Sequence, residues 1–86
     1  MLGAVNRICE HEGRQYHVQA EDLGVPAAAF EVRVYDHGTV LFNKRVSYQD
    51  VLAKGLSRAE QDEEVLSLMR KTMTTVEAAI VKGKLA

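Results

Sequence analysis

The sequence predicts an α+β fold: a four-stranded antiparallel meander made of two hairpins, followed by a short helix and a long C-terminal amphipathic helix packed on one sheet face. Up to about residue 46, polar and apolar residues alternate as in half-buried strands. Beyond Ser47 the apolar period becomes about 3.6 residues, as in helices. A chain of 86 residues has room for one core, so residues 1–86 are expected to form a single domain.

Two short segments that end in glycine predict the hairpin loops, at 11–13 (His-Glu-Gly) and 36–38 (Asp-His-Gly). A three-residue loop suits such a segment, because its last position has a left-handed backbone that glycine adopts without steric cost. These loops place the four strands at about 5–10, 14–21, 29–36 and 39–46.

Loop length also predicts the register of the strands. Three-residue loops pair Glu10 with Arg14 in the first hairpin and Tyr35 with Thr39 in the second. The face toward the helix then carries an apolar set: Phe30, Val32, Val34, Val40 and Phe42. The opposite face carries a mostly polar set: Arg7, Cys9, Gln15, His17, Gln19, Glu21, Glu31, Arg33, Tyr35, Leu41, Asn43 and Arg45.

The segments that join these elements contain residues that disfavour regular structure. Gly24 and Pro26, the only proline of the chain, predict a loop between the two hairpins. After the fourth strand a short helix is predicted over 48–54. It is expected to stop at Gly55, since glycine often ends a helix in the left-handed conformation.

A long helix is predicted over 57–82. Ser57 is followed three residues later by Glu60, which is the capping-box pattern of a helix start. On a helical wheel the apolar side chains gather on one side, which predicts an amphipathic helix lying on the sheet. This set comprises Val65, Leu66, Leu68, Met69, Thr72, Met73, Val76, Ala79 and Ile80.

The long helix is predicted to extend beyond the strands it covers. At 1.5 Å per residue it spans about 39 Å, whereas a strand of eight residues spans about 26 Å. Because its C-terminal third is still apolar, a second copy of the chain is expected to cover it, which predicts a homodimer. The expected interface residues are Met69, Met73, Val76 and Ile80. The alternative is a helix that packs only on its own sheet.

Five residues of the polar face form the candidate ligand-binding surface: His17, Gln19, Glu21, Arg33 and Tyr35. The first three occupy every second position of one predicted strand and therefore share a face. The other two lie beside them if the second and third strands are neighbours. Two interpretations are open. The surface binds a ligand, with His17 as ligand contact or proton carrier, or it is an ordinary solvated sheet face.

Charge and spacing argue against several other classes of function. With 11 basic and 12 acidic residues the net charge is -1, so no positive field favours nucleic acid. The three histidines lack the close spacing of known metal-site motifs, and the glycines form no phosphate-binding pattern. No metal, cofactor or nucleic-acid partner is therefore predicted.

The single Cys9 bears on both catalysis and location. As a nucleophile it needs a base, and the predicted register places His17 on the same face; the alternative is an inert strand cysteine. One cysteine forms no internal disulfide, and the N-terminus lacks the apolar run of a signal peptide, which predicts a cytoplasmic protein. No stretch is apolar enough to predict a membrane partner.

Two segments resemble a group of small bacterial proteins of uncharacterised function. Tyr16 to Gly24 (YHVQAEDLG) is similar to their YHVQTED-like strand, with Ala20 where threonine is expected. Gly38 to Tyr48 (GTVLFNKRVSY) is similar to a later strand that ends in a Ser-Tyr helix start. The resemblance covers about residues 16–52 and implies a bacterial cytosolic protein. It brings no activity, but it draws attention to the polar positions from His17 to Asp22.

The function expected from the sequence is a non-catalytic protein-interaction module that homodimerises through its C-terminal helix. The alternative is a small-ligand-binding protein or an enzyme that uses the polar sheet face around His17, Glu21, Arg33 and Tyr35. A concavity near His17 separates the two hypotheses, because a ligand site needs one.

Overall fold

A computed structural model describes residues 3–84 and shows the predicted α+β architecture. Residues 1, 2, 85 and 86 of the predicted domain lie outside the described part. Four antiparallel strands form one open sheet in the order β1-β2-β3-β4, and two helices follow. The elements are β1 (Ala4–His11), β2 (Arg14–Asp22), β3 (Ala29–Asp36), β4 (Thr39–Ser47), α1 (Gln49–Leu52) and α2 (Arg58–Val81).

Both hairpin loops contain two residues, so the prediction of three-residue loops was wrong. The first loop residues, Glu12 and His37, each have a φ of 51°, and the glycines that follow have φ values of 77° and 80°. Positive φ at both positions is the signature of a type I′ turn, whose twist matches that of the strands. Both loop types end in a glycine with positive φ, so glycine alone does not reveal the loop length.

The shorter first loop reverses the predicted faces of β1. His11 lies opposite Arg14, and Glu10 lies opposite Gln15 rather than opposite Arg14. Because a shift of one residue moves every side chain to the other face, Arg7 and Cys9 lie on the side of α2 instead of on the polar face. Ile8 lies on the polar face instead.

A bulge in β4 returns part of this strand to the sheet faces that were predicted for it, although the paired residues differ. Asp36 lies opposite Thr39 and Tyr35 opposite Val40, but the register then shifts, so that Val34 lies opposite Phe42. Phe42 therefore faces the helix as predicted. Val40 lies on the polar face, which corrects the prediction that it belongs to the apolar set. The extra residue between them is Leu41, which is exposed.

The core lies between α2 and one face of the sheet, here called the inner face. It is built from alternate residues of β2 and β3, from one side of α2 and from Tyr48, the residue before α1. Its members are Val18, Ala20, Phe30, Val32, Val34, Tyr48, Val65, Met69, Met73, Val76 and Ile80. The start of α2 is capped as predicted, because the Ser57 side chain accepts from the Glu60 backbone and the Glu60 side chain accepts from the Ser57 backbone.

The C-terminal part of α2 lies over the first hairpin. Ile80 is only 5% exposed, and it lines a shallow depression together with His11, Tyr16 and Leu41. The predicted apolar overhang is therefore not found in residues 3–84. The four side chains expected at a dimer interface (Met69, Met73, Val76 and Ile80) already pack inside their own chain.

A buried polar contact joins the end of β2 to the start of α1. The Tyr48 hydroxyl donates to Asp22 Oδ1 at 2.6 Å, and the Gly24 backbone N–H donates to the same oxygen at 2.9 Å. Asp22 and Tyr48 are 3% and 2% exposed. Asp22 therefore belongs to the structural core and not to the polar face on which His17 lies.

The type I′ assignment of the first loop is tested by Glu12→Asn. Asparagine is the residue favoured before glycine in this turn, so we expect the free energy of unfolding to rise by about 0.5–1 kcal/mol in urea titrations. Glu10→Asn, in the strand, is the matched control and should bring no gain. An equal effect of the two substitutions would contradict the two-residue loop.

Candidate functional site

The candidate site is the outer face of the sheet, opposite the face on which α2 packs. Residues directly opposite each other in neighbouring strands share a face, so the register sorts the outer side chains into rows. One row, here called the cross-strand row, crosses all four strands and consists of Ile8, His17, Tyr35 and Val40. The next row is polar: Asn6, Gln19, Arg33 and Asn43.

All five residues predicted for the binding surface lie on this outer face. His17 lies opposite Tyr35 and Gln19 opposite Arg33, while Glu21 lies opposite Glu31 one row further along. The prediction that the second and third strands are neighbours is confirmed. His17 and Tyr35 lie in the cross-strand row, and the other three occupy the polar part of the face.

Two rings meet at the centre of the cross-strand row. The centroids of the His17 and Tyr35 rings lie 5.9 Å apart at an interplanar angle of 40°. This is within the range of favourable tilted ring contacts. His17 Nε2 also lies 3.0 Å from Asn6 Oδ1. The imidazole is therefore held between neighbours on β1 and β3 and still remains exposed.

Arg33 binds the two carboxylates of the next row. Its guanidinium contacts Glu31 and lies 3.7 Å from Glu21 Oε1. Partial desolvation lowers the pKa of Arg33, but the two carboxylates and Tyr35 together raise it by more, so that the net shift is upward. The charges at this end of the face are balanced within the chain, which does not favour a dedicated site for an anion.

A shallow concavity of about 510 Å³ lies beside the two rings. It is lined by Ile8, Gln15, His17, Gln19, Tyr35, His37 and Gly38. Its size is within the range of small-molecule sites, and its lining mixes rings with amides. It is open to solvent.

The comparisons with known proteins decide nothing about identity. No family model matches the chain. No curated protein and no solved structure matches it significantly either. The function therefore has to be inferred from the outer face itself.

Three residues of the concavity were missed by sequence reasoning: Ile8, His37 and Gly38. Ile8 was missed because the three-residue loop placed it on the wrong face of β1. The other two were assigned to a loop and not considered as part of a surface. If Glu12-Gly13 and His37-Gly38 are interpreted as two-residue type I′ turns, all three residues are predicted at this surface.

Cys9 lies on the inner face opposite Tyr16, so the sheet separates it from His17. A Cys–His pair, considered from the predicted register, is therefore excluded by the faces on which the two residues lie. Desolvation by burial, followed by the negative charge of Glu77, raises the pKa of the Cys9 thiol. Since the thiolate is the reactive form, this environment lowers the reactivity of the thiol.

We expect iodoacetamide to alkylate Cys9 more slowly in the folded protein than in the urea-denatured chain at the same mildly alkaline pH. Glu77→Gln removes a charge that raises the pKa of Cys9 and should increase the rate. Glu63→Gln, at an exposed position near the start of the same helix, serves as the control and should leave it unchanged. A thiol in the folded protein that reacts faster than in the denatured chain would contradict this description.

Among residues 3–84, no group of three or more His, Cys, Asp or Glu side chains is arranged to hold a metal ion. Neither described helix is both long and apolar enough to cross a membrane.

Proposed function

We propose that the protein is a non-catalytic interaction module that binds another protein through the outer face, with the cross-strand row at the centre of the contact. One observation carries this proposal. Ile8 is 59% exposed and Val40 is 49% exposed, at the two ends of a row whose middle holds two rings. The apolar side of α2, in contrast, is buried against the sheet.

The composition of the outer face agrees with what protein interfaces contain. Interface centres are enriched in aromatic residues and depleted in charge, and their rims are polar. On this face Tyr35 and His17 lie between two aliphatic residues, and the charged residues lie outside this row: Glu10 on one side, and Arg33, Glu21, Glu31 and Arg45 on the other.

The helix is a weaker candidate for the binding surface. Met69 and Met73 are fully buried, and Val76 and Ile80 are at most 6% exposed. A partner would reach them only if α2 left its own sheet. The proposed binding surface is therefore the sheet face, in place of the helix stripe that the sequence suggested.

Site-specific photo-crosslinking tests this proposal. A benzophenone amino acid in place of Tyr35 is expected to form a discrete adduct with another protein in cells that contain the chain. The same amino acid in place of Arg70, exposed on α2, is the matched control and should not form that adduct. Adding Val40→Asp to the Tyr35 probe should abolish the adduct. Identical adducts from both probe positions, or none from position 35, would contradict the proposal.

A second candidate is the binding of a small ligand, which the concavity beside His17 and Tyr35 favours. Aromatic fragments that carry an amide are the suitable probes, because the lining combines rings with Gln15 and Gln19. In ¹H–¹⁵N NMR titrations they should shift the amide signals around His17 and Tyr35, and His17→Ala should weaken these shifts. Shifts spread evenly over the chain would eliminate this candidate.

The expected cellular location is also a proposal. Cys9 is a free thiol, as is usual for proteins of the reducing cytoplasm. The bacterial origin implied by the resemblance agrees with this location. Fractionation of the source cells, with the chain detected by antibody, tests it, and recovery from the periplasm or medium would overturn it.

A further inference from the structure

The two edges of the sheet differ in how well they are protected against pairing with another strand. β4 carries a bulge next to Leu41 and two adjacent cations, Lys44 and Arg45, features that protect an edge strand. β1 pairs with β2 over all its eight residues without a register shift and contains no proline. β1 has one protective feature, the inward-pointing Arg7, whose charge is bound by Glu77. The edge formed by β1 is therefore the less protected of the two.

The first hairpin fixes which backbone groups of β1 point to this open edge. In its two-residue turn, His11 and Arg14 flank the loop and form a hydrogen-bonded pair. Hydrogen-bonded and non-hydrogen-bonded pairs alternate along antiparallel strands. The N–H and C=O groups of Asn6, Ile8 and Glu10 therefore point away from β2.

We propose that two copies of the chain pair antiparallel along β1, with the two-fold axis at Ile8. In this register the outward N–H and C=O groups of Ile8 bond to those of the partner's Ile8. Asn6 and Glu10 form the flanking pairs, in which the amide of one copy lies opposite the carboxylate of the other. The contact is isologous, as the two-fold axis requires.

The neighbouring registers are less favourable. Residues that lie directly opposite each other on two antiparallel strands point to the same sheet face. In a symmetric pair of β1 strands, one residue must therefore lie opposite the same residue of the other copy, and this residue marks the centre. A centre at Arg7 pairs as many residues, and the Arg7 charge is already bound by Glu77 of its own chain. It places the exposed Ile8 opposite the polar Asn6 of the partner subunit, however, so the aliphatic side chain gains no apolar contact. Centres at Asn6 or Cys9 leave much of the eight-residue strand unpaired. The centre at Ile8 pairs most of the strand and covers the most exposed aliphatic side chain of the outer face.

This pairing has a consequence for the outer face. The cross-strand row ends at Ile8, and in the dimer it continues through the partner's Ile8 across a sheet of eight strands. The concavity lined by Ile8 and His17 then lies next to the axis, so each copy contributes a side chain to the rim of the other's concavity. The dimer does not depend on the proposed binding function, and its test is separate.

Ile8→Pro tests the pairing directly. The N–H that proline removes points to solvent in the single chain, so the monomer should remain folded, whereas the bonds across the axis are lost. The matched control is Asn43→Pro, because the N–H of Asn43 points outward from the other edge. In light scattering over a concentration series, the wild type and Asn43→Pro should approach twice 9.6 kDa at high concentration. Ile8→Pro should dissociate at a concentration on the order of tenfold higher or more.

Cysteine crosslinking gives a second test, which remains valid if the Ile8→Pro variant fails to fold. In a Cys9→Ser background, Ile8→Cys places two thiols across the axis in a hydrogen-bonded pair, whose Cα atoms lie about 5.5 Å apart, within disulfide reach. We expect a disulfide-linked dimer under mild oxidation. Val40→Cys in the same background, at the far end of the row, should stay monomeric on a non-reducing gel.

Three results would overturn the proposal: a wild-type monomer at every concentration, equal weakening by both proline variants, or equal crosslinking from both cysteine positions. None of these measurements involves another protein. A failure here therefore leaves the crosslinking from position 35 as an independent test of the proposed function.

Discussion

Replacing Met73 with alanine is expected to lower the free energy of unfolding by about 2–5 kcal/mol, the usual cost of truncating a buried long side chain. Met73 is fully buried between α2 and the sheet. A domain of this size is stable by only about 5 kcal/mol, so much of the variant should be unfolded at 37 °C. Urea titrations followed by circular dichroism measure the loss.

The concentration dependence of this loss separates two roles for Met73. If the side chain packs inside its own chain, the difference between variant and wild type should stay constant as the protein is diluted. If it lies at a helix-mediated dimer interface, the difference should shrink on dilution. Val81→Ala, on the exposed side of the same helix, is the control and should change stability by less than about 0.5 kcal/mol.

Tyr48→Phe is expected to destabilise the protein by about 1–3 kcal/mol, because buried Asp22 loses a hydrogen-bond donor while the ring remains. Tyr35→Phe removes a hydroxyl from the half-buried ring of the outer face and should have a much smaller effect. Thermal unfolding of the two variants makes the comparison. Equal losses would show that the contact with Asp22 contributes little.

The same contact predicts a dependence of stability on alkaline pH. Burial, then the hydrogen bond and the charge of Asp22, raise the pKa of Tyr48 well above its ordinary value of 10.0. The stabilisation is therefore complete below pH 10 and is lost at higher pH, where the unfolded chain releases the proton that the folded chain retains. Urea midpoints measured between neutral pH and pH 11 should fall less steeply for Tyr48→Phe than for the wild type.

Much of the fold could be predicted from the sequence because its signals are local. The alternation of apolar residues along β2 and β3 and the helical period after Ser47 each depend on neighbouring positions. The capping box at Ser57 and Glu60 is likewise contained within four residues. The strand and helix order followed from these patterns, and so did the sheet face that carries His17 and Tyr35.

The faces of the edge strands could not be predicted in the same way. They depend on loop length, and a terminal glycine fits a two-residue turn as well as a three-residue loop. The prediction of three-residue loops placed Ile8 and Val40 on the inner face. Both ends of the cross-strand row were therefore absent from the predicted outer face. The bulge at Leu41 has no local signature that the sequence analysis used.

The buried contact between Asp22 and Tyr48 joins two residues that lie 26 positions apart in the sequence. Their hydrogen bond ties the end of β2 to the start of α1. Asp22 therefore has a packing role, whereas His17, Gln19 and Glu21 lie on the outer face.

Hydroxyl-radical footprinting of the wild-type chain over a dilution series tests most directly whether the sheet face, and not the helix, is the exposed binding surface. We expect Met69 and Met73 to stay protected at every concentration, because their own sheet covers them. Tyr35 should be modified throughout, and Ile8 should become more reactive as the β1 pair dissociates. Methionines that become reactive on dilution while Tyr35 stays protected would contradict the account.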